Sequence, residues 1–168
     1  MMGCRDASVM SINISMGGIP KRPVEFVRIT FSGLEGDGHN HAKHYSPIQA
    51  VCLQDIEKLE ELSQEGHPLK PGSAGENLTV KNLYVNTLPF GTILKFPGGV
   101  VLEISKIRKP CYVMDAIDPQ LKSDALGRHG MYAKVLKEGI IKKWDSIHIV
   151  QSGFETEFAG RDLPRGFR

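Results

Sequence analysis

Hydrophobic positions along this chain alternate far more often than they recur at helical spacing. In "ASVMSINIS", Val9, Ser11 and Asn13 fall on one face and Met10, Ile12 and Ile14 on the other, a period of two that predicts a strand. "MGGIPKRP" interrupts it with glycines and prolines. "VEFVRITF" resumes the alternation, setting Val24, Phe26, Arg28 and Thr30 opposite Glu25, Val27, Ile29 and Phe31, and "IQAVCLQ" predicts a third strand. One segment has a helical period. "QDIEKLEELSQEG" puts Ile56, Leu59 and Leu62 on one face, starts near Asp55, and stops at Gly66 ahead of Pro68. Beyond it, "NLTV", "TILKF", "VVLEISKI", "GMYAKVLK" and "SIHIV" are short strand candidates punctuated by Gly75, Gly91, Gly98, Gly99, Gly130 and Gly139. Many short strands with little helix predict a mostly β fold, a closed or nearly closed β-barrel with one or a few short helices. The β-α alternation of a doubly wound sheet is missing. The last stretch, residues 152–168, has mixed charge and no period, and reads as a tail or extension.

Composition narrows the function classes more than it changes this picture. A length of 168 residues suits one domain, and 40% hydrophobic with 24% charged residues is ordinary for a globular protein. The formal net charge of +2 gives no basis for nucleic-acid binding, although a small anion needs only a local basic pocket. Three cysteines (Cys4, Cys52, Cys111) without a CxxC pair argue against a disulfide framework and for a reducing, cytoplasmic setting. No apolar run approaches the ~20 residues of a membrane span, and "MMGCRDASVMSINIS" lacks the apolar core of a signal peptide.

Four segments could carry chemistry. "HNHAKH" spaces His39, His41 and His44 like the HxHxDH motif of dinuclear zinc hydrolases, but Lys43 stands where the motif has its aspartate and would repel a second metal. The plainer reading is a polar loop. In "GLEGDGH", Gly33, Gly36 and Gly38 allow close backbone approach and an anion nest, and Asp37 is placed to close the turn, although glycine-rich turns occur in every barrel. "PGSAGENLTV" offers Glu76 and Asn77 at a strand mouth, where a carboxylate and a two-sided amide can orient a heterocycle; on its own, the plainer reading is a turn whose Asn bonds its own backbone. In "RKPCYVMD", Pro110 ends a strand ladder and places Cys111 at the rim, beside Arg108 and Lys109, whose charges favour the thiolate. Cys52 reads as an inert core residue and Cys4 as part of a frayed terminus.

Taken in order, "GIPKRPV", "GLEGDGH" with His44 beyond it, "PGSAGENLTV", "PCYVM" and "GMYAKVLKEG" resemble the MOSC domain, the family named for the C-terminal domain of molybdenum-cofactor sulfurases. The resemblance spans residues 8–151. It implies a mostly β barrel that recognises the pterin of the molybdenum cofactor (molybdopterin). It further implies that Cys111 carries sulfur as a persulfide or ligates molybdenum as a thiolate. Glu76 and Asn77 match the family's Glu-Asn pair, Gly36, Asp37 and His44 its Gly-Asp…His loop, and Lys21 its early lysine. On this basis Glu76 and Asn77 hold the pterin edge, while Lys21, Lys109 and Arg128 supply charge for the cofactor's phosphate.

Three departures stand out. Trp144 occupies a turn position where the family has glycine, Gln49 lies near the place of an arginine, and the pyridoxal-phosphate domain of full sulfurases is not seen. The implied activity is reduction of N-hydroxylated substrates with electrons from a separate reductase, since no flavin or iron–sulfur signature is present. A molybdoenzyme is the other implied partner. The rival readings are a non-catalytic cofactor carrier or storage module and a zinc hydrolase built on the histidine loop.

Overall fold

The strands that alternation predicts do form, and they sort into two sheets. The computed structural model describes residues 6–38, 46–110 and 112–150, so Cys111, His39, His41, His44 and the segment 151–168 lie outside the described residues. The larger sheet has eight strands in the order β11 (His148–Val150), β7 (Ile93–Lys95), β8 (Val101–Ile107), β9 (Met131–Lys137), β5 (Val51–Asp55), β6 (Leu78–Lys81), β1 (Ser8–Ile14) and β2 (Arg22–Val24). Its pairings are antiparallel except β5 with β6, which run parallel and are joined through helix α1 (Ile56–Gln64). That crossover is what a parallel pair requires, because a tight hairpin can only reverse the chain. The smaller sheet orders β10 (Gly139–Lys142), β3 (Phe26–Thr30) and β4 (Gly33–Leu34).

The mostly β architecture with few helices is as expected; a closed barrel is not found. Among the described residues no pairing joins the edge strands β2 and β11, so neither sheet closes on itself. The edges explain this. Each is three residues long, and Pro23 in β2 has no N–H to give to a ladder. The small sheet covers the core instead. Val27 and Ile29 of β3, Leu34 of β4 and Ile141 of β10 share one buried cluster with Val9, Ile12, Leu53, Leu78, Leu94 and Leu102 of the large sheet. Residues 144–147 tie the sheets together through backbone bonds from Trp144 to Val9, from Val9 to Asp145 and from Ile147 to Ala7.

Two details of register matter for the site. The alternation in β1 changes phase, because the ladder with β6 is irregular between Val9 and Ser11. Val9 and Ile12 therefore both enter the core, leaving Ser11 and Asn13 buried among polar partners. Strand β5 begins later than expected, since residues 47–49 form a 3-10 turn and Ile48 is exposed. All five residues of β5 are buried, as suits a strand covered on both faces.

Helix α1 buries Leu59 and Leu62 as its spacing predicts. They join Leu69, Met114, Leu121 and Ala125 in a second, smaller core beneath a 3-10 turn (Tyr112–Ala116) and helix α2 (Leu121–Asp124). Asp55, at the N-cap of α1, does not cap it; its carboxylate accepts the Val85 N–H. Burial pushes Asp55 up to about 7. Among the described residues, no helix is long and apolar enough to cross a membrane.

Candidate functional site

Strands β1, β5 and β6 point apolar side chains into the core and a buried polar set the other way. Val51 and Leu53 belong to the core, whereas the neighbouring Cys52 does not; Leu78 and Val80 do, whereas Thr79 does not. Ser11 Oγ donates to Asn13 Oδ1 (2.7 Å), and Asn13 Nδ2 to Thr79 Oγ1 (3.0 Å). Buried polar groups are tolerated only when partnered, so this face is specified by its hydrogen bonds.

Three segments far apart in sequence meet at its edge. Lys21 Nζ donates to both carboxylate oxygens of Asp37 at 2.6 and 2.7 Å. Asp37 also accepts from the Ser15 N–H (2.9 Å) and from Asn77 Nδ2 (2.9 Å). Asn77 Oδ1 accepts the Cys52 N–H at 3.0 Å, and its backbone exchanges bonds with Cys52 and Asn13. Both ends of the Asn77 amide are thus engaged within the fold. The glycines that allow this approach are Gly38, where a Cβ would strike the Met16 carbonyl, and Gly72, where it would strike the carbonyl of Lys21. Gly36, with φ of 85°, makes the turn into Asp37.

Next to this closed network lies one that is open. Glu76 is completely buried; one carboxylate oxygen accepts the Gly72 N–H and the other, Oε2, has no partner. Burial pushes its carboxyl up to about 7, against the opposing pull of Arg108 and of the Gly72 N–H. Arg108, at the end of β8, turns its guanidinium onto the Ala74 carbonyl through Nη2 and leaves Nη1 buried without a partner. Gly75 lets the loop lie on that guanidinium: a Cβ there would sit 2.9 Å from Ile19 and 3.2 Å from Arg108 Nη2. Around them stand Cys52, whose thiol burial pushes up, and His129, which burial and then the Arg108 charge hold down to about 3, a neutral imidazole. An orphaned cationic donor beside an orphaned carboxyl acceptor is unused hydrogen-bonding capacity. It suits a ligand with a mixed donor–acceptor edge and some negative charge.

The expected site residues thus separate. Lys21, Gly36, Asp37, Glu76 and Asn77 come together. Arg128 is held elsewhere, its Nη1 and Nη2 on Glu65 of the α1 C-cap at 2.5 and 2.9 Å and its guanidinium also on the Asp124 carbonyl. Lys109 is exposed beyond the end of β8. Cys111 and His44 fall outside the described residues, as do His39 and His41, and among the described residues no group of acidic, histidine and cysteine side chains is arranged to hold a metal. Arg108 is the residue that sequence reasoning undervalued, since it figured there only as a charge near Cys111. Its position at the last turn of a strand facing "PGSAG" has no local sequence signature.

Known proteins resemble this chain in sequence and in fold. A family model described as the MOSC domain matches residues 40–148. The uncharacterized protein YflK of Bacillus subtilis (strain 168) is 30% identical over 157 residues, covering 86% of this chain and 69% of YflK. A protein named Reductase from Gibberella moniliformis is 28% identical over 131 residues; the match covers 71% of this chain but 23% of that longer protein. Among solved structures, the YuaD protein of Bacillus subtilis superposes with a TM-score of 0.71 at 20% identity, covering 85% of this chain and 94% of YuaD. YiiM from Geobacillus stearothermophilus gives 0.71 at 24% identity, covering 88% and 76%. At such identities these likenesses speak for the fold alone.

Proposed function

The chain belongs to the MOSC domain family, and from that premise we propose that it binds the molybdenum cofactor at the Glu76–Arg108 site and presents Cys111 to it. The observation that carries this reading is that two of the four orphaned buried side-chain atoms among the described residues, Glu76 Oε2 and Arg108 Nη1, belong to an electrostatically coupled acid and base. The residues fit the group. A pterin edge alternates N–H donors with ring acceptors, and a carboxyl close to half-protonated at neutral pH can accept from it or donate to it. Arg108 supplies a fixed positive charge for an anionic group. The exposed Lys109 adds a second, movable one; Lys21 and Arg128 would have to give up Asp37 and Glu65 to do so. Asp37 and Asn77 act one step back, bracing the loop that carries Glu76.

Cys111 follows Pro110, and as a thiolate it would ligate molybdenum or, carrying a second sulfur, form a persulfide. When bound, the metal centre supplies two-electron oxygen-atom transfer. We propose N-hydroxylated compounds as substrates: reducing an N–OH to N–H takes two electrons and two protons and releases water. The electrons would come from a separate reductase in the same cytoplasm, and the relative named Reductase is consistent with that pairing.

The test is metal, pterin and intact-mass analysis of the chain purified from a cofactor-producing host, beside Cys111→Ala and Glu76→Gln. Molybdenum with released pterin in the parent, and its loss in both variants, supports ligation. An added sulfur that cyanide strips away and that Cys111→Ala lacks supports the persulfide. Parent protein with neither overturns the reading. Bound cofactor without turnover of an N-hydroxylated base and a reductase would leave a carrier.

A further inference from the structure

We propose that His67 is a pH-operated latch that fixes residues 112–125, the chain immediately following Cys111, onto helix α1. This goes beyond cofactor binding and does not depend on it. His67 is almost fully buried in the loop after α1, and both its ring nitrogens meet carboxylates: Nδ1 lies 2.8 Å from Asp118 Oδ2 and Nε2 lies 2.8 Å from Asp124 Oδ2. A neutral imidazole carries one N–H and can satisfy one of these contacts, turning a lone pair toward the other carboxylate. With both aspartates ionised, only the imidazolium satisfies both contacts. The two aspartates bracket α2, and Met114, Leu121 and Ala125 from the same segment pack on Leu59 and Leu62 of α1 in the small second core. Six buried hydrophobic residues, with Ile56 and Ile117 packed against them, are a thin core, and the His67 bonds on its rim add to what holds the segment down.

The charged groups facing His67 agree in sign. From the α2 side come Asp118 and Asp124; from the α1 C-terminus comes Glu65, which also feels the His67 charge and is paired with Arg128. Burial alone would lower the imidazole, but the bonds and charges of Asp124 and Asp118 outweigh it and raise it above its ordinary 6.5. Asp118 is held below the usual carboxylate value, first by the Gln120 N–H and then by His67. A base raised on folding contributes its stability fully below its unfolded value and loses it as pH rises through the folded one. The latch is thus closed on the acid side of His67's raised titration and opens on the alkaline side.

Hydrogen exchange of the full chain from about pH 6 to about pH 9, corrected for intrinsic rates, tests this. We expect the amides of residues 112–125 to lose about tenfold more protection than those of β5 and β8 as His67 deprotonates, the change in the strands following the titration of Glu76 and Asp55. In His67→Gln, protection of the same segment is low and changes with pH only as much as that of β5 and β8. A flat parent profile, or an unaltered pH response in the variant, overturns the latch. Should His67→Gln fail to fold, ring nitrogen NMR of the parent decides: two N–H protons on His67 at neutral pH support the proposal, and titration below 6.5 sinks it.

Discussion

Two polar clusters sit side by side on the same sheet, built from the same strand ends, and they differ in how completely they are bonded. Around Asp37 every carboxylate lone-pair direction used meets a donor: Lys21 twice, Asn77 and the Ser15 N–H. Around Glu76 one oxygen is bonded and the other is not, and the neighbouring guanidinium also keeps a buried nitrogen unpartnered. An unpartnered buried atom costs about 1–3 kcal/mol; Gln54 Oε1 and Glu57 Oε2 are left in the same state, but at Glu76 and Arg108 an acceptor and a charged donor are left together. The closed cluster is explained by the fold. The open one is where we propose a ligand, and on that reading the difference separates bracing residues from binding residues more sharply than the sequence motif does.

The largest effect that can break the comparison lies in the closed cluster. Asp37→Ala leaves the Lys21 ammonium, whose side chain is 13% exposed, without its counter-charge, and strips partners from Asn77 and Ser15. Removing one member of a buried pair costs about 3–5 kcal/mol. Urea unfolding at neutral pH should show a loss of that order in protein carrying no ligand. A loss below about 1 kcal/mol would mean that the cluster is a solvated surface pair, and the distinction between the two networks would fall.

Glu76→Gln probes the open cluster through pH. The carboxyl has its ordinary value of 4.5 in the unfolded chain and about 7 in the folded one. The folded state therefore holds a proton that the unfolded state releases between those values, so stability falls as pH rises through that window. The shift corresponds to on the order of 3 kcal/mol. Asp55, also raised to about 7, adds a loss of the same sign, while His129, lowered to about 3, adds a gain as pH rises toward 6.5. The difference between parent and Glu76→Gln isolates the first of these: it should grow in favour of the variant between about pH 4.5 and about pH 7 and level off above. A pH-independent difference would show that Glu76 is solvated or already neutralised by Arg108.

How much of this was visible in the chain alone follows from what local patterns encode. Alternation located the strands and the Ile56/Leu59/Leu62 face located α1, because burial on one side writes a period into the sequence. The phase change at Met10 was invisible, since a bulge inserts no characteristic residue, and with it went the choice of which face of β1 is core. Barrel closure is not written in local patterns: short strands are common to barrels and open sheets, and what decides is long-range edge pairing. Gly36, Asp37, Glu76 and Asn77 form a set in the chain only through the family resemblance; the glycines by themselves mark close approaches and no more. The division of labour among them was not. Whether Asn77 faces a ligand or Asp37, and whether Arg128 faces a phosphate or Glu65, depends on which distant segment arrives, and no spacing records that.

The finest test uses a turn that touches neither cluster and so measures plain backbone strain. Trp144 holds φ of 75°, the left-handed region, at the position where the family resemblance anticipates glycine. Its side chain is 61% exposed, and Lys143 Nζ lies 4.9 Å from the ring centre. An L-residue in that conformation costs roughly 1–2 kcal/mol, whereas an exposed cation–π contact returns about 0.5–1 kcal/mol. Trp144→Ala loses the contact and keeps the strain; Trp144→Gly loses the contact and releases it. The glycine variant should therefore exceed the alanine variant in stability by about 1 kcal/mol, and lie within about 0.5 kcal/mol of the parent once glycine's greater unfolded-state freedom is counted. Thermal melts of the three proteins at equal pH read this directly. An alanine variant as stable as the glycine one would mean that the turn relaxes away from positive φ when tryptophan is removed, leaving Lys143 over the ring as the reason the conformation exists.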